Sequence, residues 1–368
     1  MKILFLLPLL SDAYYHKRVK NLCHEGVTCS VIGFERNHYK GKSWPFKVTS
    51  LRNIDHGNFI KRIWYLLAAV PTIRKASANI DNIYAFNLDM LFLARISTLF
   101  IKDRPRFIYD IADIHPALYI QNFQSKLLRR LENILLKKVK VIVVASPNYI
   151  DGYFKVYHKN YPGSYHVIEN KLNSLEKLTR HKKITPFPAD NTTITIGYFG
   201  MIRCEQSLRF LSELLDRSHG SFKLYLRGKF LVNKQIETLI TQSEHTEYGG
   251  PFINPDDLSE MHNAIDLVWA AQQLGEAHTK FSRTNRFYQS CYFDVPMITQ
   301  EATQDDKMLK KYNLGITIQL DEFETSIKKL LGVTISDLKK WQKNIKKIPE
   351  NHFIISDEYH VLIELLKK

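Results

Sequence analysis

The sequence predicts an α/β protein built from two successive doubly wound domains, each a parallel sheet covered by helices on both faces. Three observations carry this. The chain has 368 residues, too many for one compact core and about right for two domains. Short, continuously apolar runs alternate with helix-period stretches, as buried parallel strands joined by crossover helices require. The rhythm breaks once, at residues 171–192 (KLNSLEKLTRHKKITPFPADNT), which are polar, hold two prolines and have no apolar period. That stretch reads as a linker.

In the first half, strands are expected at Lys2–Leu7, Val27–Gly33, Asn82–Ala85, Phe107–Asp110, Val139–Val144 and Tyr165–Glu169. Helices are expected between them at Ala13–Glu25, Asn58–Ala78, Leu88–Ile101, Gln124–Lys138 and Asn148–Tyr157. In the second half the strands are Ile194–Phe199, Phe222–Arg227, Ile265–Trp269, Pro296–Thr299 and Gly315–Ile318. Its helices are Gln206–Asp216, Asn233–Thr241, Pro255–His262, Thr284–Phe293 and Glu322–Leu331, followed by Ser336–Lys347 and Asp357–Lys368. Two such domains leave a cleft, and ligands of open α/β sheets bind at the carboxyl ends of strands.

Composition is globular, 45% hydrophobic and 24% charged. The opening MKILFLLPLL lacks a small-residue cleavage site and runs directly into charged SDAYYHKRVK, so it reads as a buried first strand rather than a signal peptide. No run approaches the ~18 apolar residues that cross a bilayer, and a cytoplasmic location is expected. Cys23, Cys29, Cys204 and Cys291 fit neither a zinc knuckle nor a CxxC pair, which predicts free thiols in a reducing compartment. Net charge is +15, all of it in residues 1–180, where 28 Lys+Arg face 13 Asp+Glu; residues 181–368 hold 24 of each. A one-sided basic domain calls for an anionic partner.

Three loops carry candidate chemistry. In GYFGMIRCEQSL, Gly200 is expected to end a strand, Arg203 follows, and a helix begins near Gln206. Helix-start N–H groups beside a cation suit a diphosphate, although a plain structural turn would look the same. In KFSRTNRFYQSCYFDVPMI, Asn285, Arg286 and Gln289 share or adjoin one helix face that could hold a ribose and phosphate. The alternative is a surface helix whose Phe287, Tyr288 and Tyr292 are core. In YDIADIHPALY, Asp110, Asp113 and His115 crowd a strand end where they could orient a hydroxyl or meet a developing charge. No DxD pair or histidine cluster offers a metal site, so no metal or other cofactor is expected.

In this order and separation the three loops resemble glycosyltransferase family 4 and its bacterial relatives that build capsule and O-antigen polysaccharide. HKRVKNLCHEGVTCSVIGFER is similar to the family's first helix and second strand, VIENKL to its segment before the linker, and YGGPFINPDDLSEMHNAIDLVWAA to its "Pro … Leu … Asp" stretch. NRFYQSCYFDVPMI is the most specific match. The resemblance covers essentially the whole chain and implies a GT-B fold. It implies an acceptor domain at 1–178 with a returning helix at 352–368, and a nucleotide-sugar domain at 190–350. The implied activity is a metal-independent, usually retaining transfer, with His115 at the transferred sugar, Arg203 on the donor diphosphate and the helix beginning near Asn285 on the nucleotide; Asp113 beside His115 is a further catalytic candidate. Three positions depart from the family: its Glu-x7-Glu pair falls on Phe281 and Gln289, and its second diphosphate cation on Gln206. Glu276 could supply the first contact, and Lys280, Arg283 or Arg286 the second cation.

Two segments of the basic half read as amphipathic. FIKRIWYLLAAVPTIRKASA has basic ends around an apolar centre. SKLLRRLENILLKKVK carries six Lys/Arg against one Glu, with its leucines expected to pack on the sheet and its charges to face out. Basic amphipathic helices lie on anionic membranes. Such a surface and a lipid-linked glycan acceptor are the expected partners, with a nucleotide-sugar donor. Nucleic acid is not expected, since no recognised binding motif is present. A sugar-nucleotide epimerase and a non-catalytic sugar-binding scaffold are the rival readings.

Overall fold

The computed structural model describes residues 1–36, 44–53, 59–173, 178, 193–274 and 280–368. It divides into two compact units, Met1–Asn170 with Ser356–Lys368, and Lys171–Ile355. The divide falls at Asn170 and Ser356 rather than at 178 and 352. Leu172 bridges to Ile354 and, with Phe353, is buried in the second unit's core. Most of the expected linker, and Glu276, lie outside the described residues.

The first unit is a seven-stranded parallel sheet in the order β3-β2-β1-β4-β5-β6-β7. Its strands are β1 (Lys2–Leu7), β2 (Thr28–Glu35), β3 (Thr49–Asn53), β4 (Asn82–Phe86), β5 (Arg106–Ile111), β6 (Val139–Val144) and β7 (Ser164–Val167). The central strands are apolar at nearly every position because helices cover both faces. Those helices include α1 (Ala13–His24), α2 (Phe59–Ala76), α3 (Asn87–Ser97), α4 (Pro116–Tyr119) and α5 (Phe123–Leu136). The expected helix at Asn148–Tyr157 is a composite: α6 (Pro147–Tyr149), a π-helical turn (Ile150–Phe154) and α7 (Lys155–Tyr157).

The second unit is a six-stranded parallel sheet in the order β10-β9-β8-β11-β12-β13. Its strands are β8 (Ile194–Ile202), β9 (Phe222–Phe230), β10 (Thr246–Tyr248), β11 (Leu267–Trp269), β12 (Met297–Gln300) and β13 (Gly315–Ile318). Helices α8 (Glu205–Ser218), α9 (Lys234–Thr241), α10 (Leu258–Asn263), α11 (Asn285–Phe293), α12 (Gln304–Tyr312), α13 (Phe323–Leu331) and α14 (Ile335–Ile345) complete it. The last helix, α15 (Glu358–Lys367), returns to the first unit.

Three expectations are corrected. Cys23 and Cys29 are not free thiols but a disulfide, because the tight turn from α1 into β2 brings their Cα atoms within 6.0 Å. Gly200 does not end its strand: β8 continues to Ile202, paired with β9 through Gly200–Gly228. The apolar residues of α5 do not all turn inward. Leu127, Phe123 and Ile134 are exposed, while Glu132 is buried and accepts from the Tyr109 and Tyr153 hydroxyls and pairs with His158.

Candidate functional site

In the second unit the order of strands reverses between β8 and β11, the topological switch point where doubly wound sheets take ligands. Both candidate loops of this unit arise there. Arg203 follows β8, and Arg286 sits in the first turn of α11, the helix between β11 and β12. The two sides are stitched together, with Ser207 Oγ donating to Ala271 O at 2.9 Å.

Arg286 is fixed on three sides. Its Nε donates to Phe199 O at 2.8 Å, its guanidinium lies 4.8 Å over the Tyr198 ring, and one terminal nitrogen faces Gly200. Burial lowers its pKa from the ordinary arginine value, with Tyr198 and Asp305 pulling the other way and Arg203 adding slightly to the drop. A partly desolvated guanidinium beside an open glycine, with the exposed Arg203 on the following loop, suits an anion. Gly200 has φ +105° and open space where a side chain would stand, its near neighbour being Arg286 Nη2 at 3.8 Å. Gly228, directly across in β9, has φ +140°, and a Cβ there would meet Gly200 O at 1.8 Å. The approach of the two strands here excludes a side chain at Gly228, and the positive φ of both residues favours glycine. Among the described residues the Cys204 side chain makes no capping bond at the start of α8, where helix N–H groups favour an anion. Glu205 in that turn accepts from Asn233 of the next loop.

The position of α11 depends on Asp305. Thr284 caps α11 by accepting from Phe287 N, and Asp305 in turn accepts from the Thr284 hydroxyl at 2.7 Å and from its N–H at 3.2 Å. Asn285 is exposed at the helix start and Gln289, one turn on, is buried. Arg283 lies over the Phe287 and Tyr288 rings, and exposed Lys280 over Phe281, so neither stands where Arg286 does. Gln206 donates to Asp321. Of the three expected substitutes for the family's second cation, the structure brings only Arg286 to Gly200.

In the first unit, β5 delivers Asp113 and His115. His115 is the N-cap of α4, its Nδ1 accepting from Ala117 N at 3.1 Å with Pro116 at the first helical position. An accepting Nδ1 leaves the ring proton on Nε2, an exposed donor. Asp113 is exposed too and is oriented by the buried Tyr149, whose hydroxyl donates to Oδ1 at 2.9 Å. Asp110 does not belong with them. It is fully buried, paired with Arg18 at 3.0 Å, and accepts from the Tyr14 and Tyr84 hydroxyls. Arg18 also donates to Ile168 O and to Tyr359 of α15, so the network ties β5, α1 and the last helix together.

Sequence reasoning missed Tyr198, Gly228, Tyr149 and Asp305. A lone glycine inside LRGKF, an otherwise strand-like run, was a readable sign of close backbone approach. Among the described residues no group of three His, Cys, Asp or Glu could hold a metal ion.

No family model matches the chain. Succinoglycan biosynthesis protein ExoL of Rhizobium meliloti (strain 1021) is 24% identical over 345 residues, covering 90% of this chain and 84% of that protein. Among solved structures, the lipopolysaccharide outer core galactosyltransferase WaaB superposes with a TM-score of 0.65 at 12% identity, covering 100% of this chain and 99% of its own. Anabaena HepE, solved with UDP and glucose, gives 0.66 at 14% identity, again over 100% and 99%. With its two Rossmann-like units in one chain, this protein has the GT-B glycosyltransferase fold that it shares with those structures.

Proposed function

We propose that this protein is a glycosyltransferase of cell-surface polysaccharide assembly. It moves a sugar from a nucleotide-sugar donor to a lipid-linked glycan acceptor at an anionic membrane surface, without a metal and with retention at the anomeric carbon. The observation that carries this reading is Arg286, held beside Gly200 by Phe199 O and the Tyr198 ring, at a sheet's switch point where Arg203 follows β8, the sheet belonging to the same fold as HepE. The second unit holds the donor: the two guanidiniums and the α8 N–H groups take the diphosphate, and Asn285 and Gln289 the nucleoside. As the bond to the sugar breaks, charge builds on the leaving diphosphate, and fixed donors stabilise it without reorganisation. The first unit serves the acceptor. His115 Nε2–H and the Tyr149-oriented Asp113 are assigned to the transferring sugar and the attacking hydroxyl. The similarity to the succinoglycan biosynthesis protein ExoL supports a glycan acceptor, and the charge of residues 1–180 supports an anionic, lipid-borne one.

The test is a thermal-shift screen of UDP, GDP and TDP followed by slow hydrolysis of the matching nucleotide sugars. UDP is the first candidate because HepE structures hold it. Stabilisation by one nucleoside diphosphate and release of free sugar support the proposal. An isomerised nucleotide sugar would replace it with an epimerase, and no binding to any member would remove it.

A further inference from the structure

The first unit carries a face that its own packing does not explain. The connections β3→β4, β4→β5 and β5→β6 all step the same way along the sheet, so right-handed crossovers place α2, α3 and α5 in one layer. Within it, α3 packs against both neighbours. A helix in such a layer should bury its apolar stripe and show its polar one. α5 follows this only in part: Leu135 and Leu136 are buried and Leu128 and Leu131 half-buried, but its other large apolar residues are not. It buries Ser125, Arg129 and Glu132, and Arg129 and Glu132 have partners inside the unit. It exposes Phe123, Leu127 and Ile134, at 79%, 58% and 61%. These lie at i, i+4 and i+11 and form one stripe. Exposed Lys126, Arg130 and Lys137 line one side of it and Lys138 the other, while the single acid of the helix, Glu132, is buried. On α2, Trp64 is 68% exposed with Ile63 and Leu67 beside it, ahead of exposed Arg74 and Lys75.

We propose that this face of α2 and α5 docks the protein on an anionic lipid bilayer, with Phe123, Leu127, Ile134 and Trp64 entering the headgroup–acyl boundary. The proposal rests on the membrane-side reading of the acceptor above and adds the surface that makes the contact. Apolar side chains flanked by lysine and arginine, with tryptophan nearby, match an interface that is apolar below and negative above. A second copy of the chain fits poorly. A two-fold contact would set Lys126, Arg130 and Lys137 against the same cations of the partner, whereas anionic headgroups neutralise them.

The test is co-sedimentation of the full chain with vesicles of phosphatidylglycerol and phosphatidylcholine, and with phosphatidylcholine alone. Two triple variants accompany the parent: Phe123→Ser/Leu127→Ser/Ile134→Ser, and Lys126→Glu/Arg130→Glu/Lys137→Glu. The parent should partition onto the anionic vesicles and not the neutral ones, and each variant should lower partitioning about tenfold or more. Both should keep the parent's melting temperature and its nucleoside-diphosphate binding, since every altered side chain is exposed. Equal binding to both vesicle types, or undiminished binding by both variants, would overturn the proposal. So would a parent dimer that the serine variant dissociates, or a preference for nucleic acid over vesicles. Because vesicle binding needs no donor, a parent that sediments with vesicles but ignores every nucleotide would sink the transferase reading and leave this one standing.

Discussion

Arg286 Nε donates to the carbonyl of Phe199 across 2.8 Å, so the helix after β11 and the strand β8 hold one cation between them beside Gly200. The plane of that guanidinium is set by the bond and by the Tyr198 ring beneath it. Lysine would keep the charge and lose the plane. Arg286→Lys should weaken nucleoside-diphosphate binding about tenfold and Arg286→Ala about a hundredfold, as expected for charge-assisted contacts to phosphate. Arg203→Ala should lower turnover by about two orders of magnitude or more. Calorimetric titration with the diphosphate and a donor-hydrolysis assay read these out. An Arg286→Ala protein with parental affinity would remove the residue from the cradle.

His115 has two separable tasks. Nδ1 caps α4, and Nε2 offers a proton outward. Asparagine is a good helix cap and lacks the second nitrogen. His115→Asn should therefore melt near the parent temperature yet transfer sugar about a hundredfold more slowly. His115→Ala should show the same loss of rate together with about 1 kcal/mol of destabilisation from the missing cap. Unchanged transfer by His115→Asn would confine this residue to capping.

The sequence displayed the two sheets because their strands are apolar without interruption: every residue of Ile3–Leu7 and of Val141–Val144 is buried. It hid what is built from caps and charges. α12, QDDKMLKKY, has almost no apolar period. It stands on the Thr303 cap, Asp305 and Asp306 in its first turn and Lys310 and Lys311 in its last. β10 is a three-residue edge strand with no apolar run to announce it. In the candidate site the loops were legible, and so were Arg203 and Gly200. Which of Lys280, Arg283 and Arg286 joins them depends on the rotation of α11, which Thr284 and Asp305 set from 21 residues apart in sequence. Asp110 looked like a site residue because sequence shows a carboxylate at a strand end, but not the arginine from α1 that buries it.

That buried pair yields a stability prediction. Arg18 and Asp110 are both almost fully buried, and removing one leaves the other's charge in a poor medium. Arg18→Met should cost about 3–5 kcal/mol, and adding Asp110→Asn should recover part of it. Because Arg18 also reaches Tyr359, the single variant should loosen α15 first. Hydrogen exchange across residues 358–367 should accelerate more than across β1. Equal acceleration of both elements would mean that the network does not anchor the helix.

Asp305 gives the pH dependence. Burial pushes its carboxyl up to about 6 from the ordinary 3.8, against the opposing pull of the Thr284 hydrogen bonds and of Arg283 and Arg286. Between those two values the folded chain holds a proton that the unfolded chain has released. The contribution to stability is therefore fully present below pH 3.8 and is lost as pH rises through about 6. Two pKa units correspond to something on the order of 3 kcal/mol. Asparagine can still accept from Thr284 and has no charge to bury, so Asp305→Asn should gain on the parent as pH rises from 4 to 7 and then hold level. Chemical unfolding of both proteins across that range gives the difference directly. A difference that stays flat, or that falls with rising pH, would show that the carboxylate at the α11 cap is ionised at little cost.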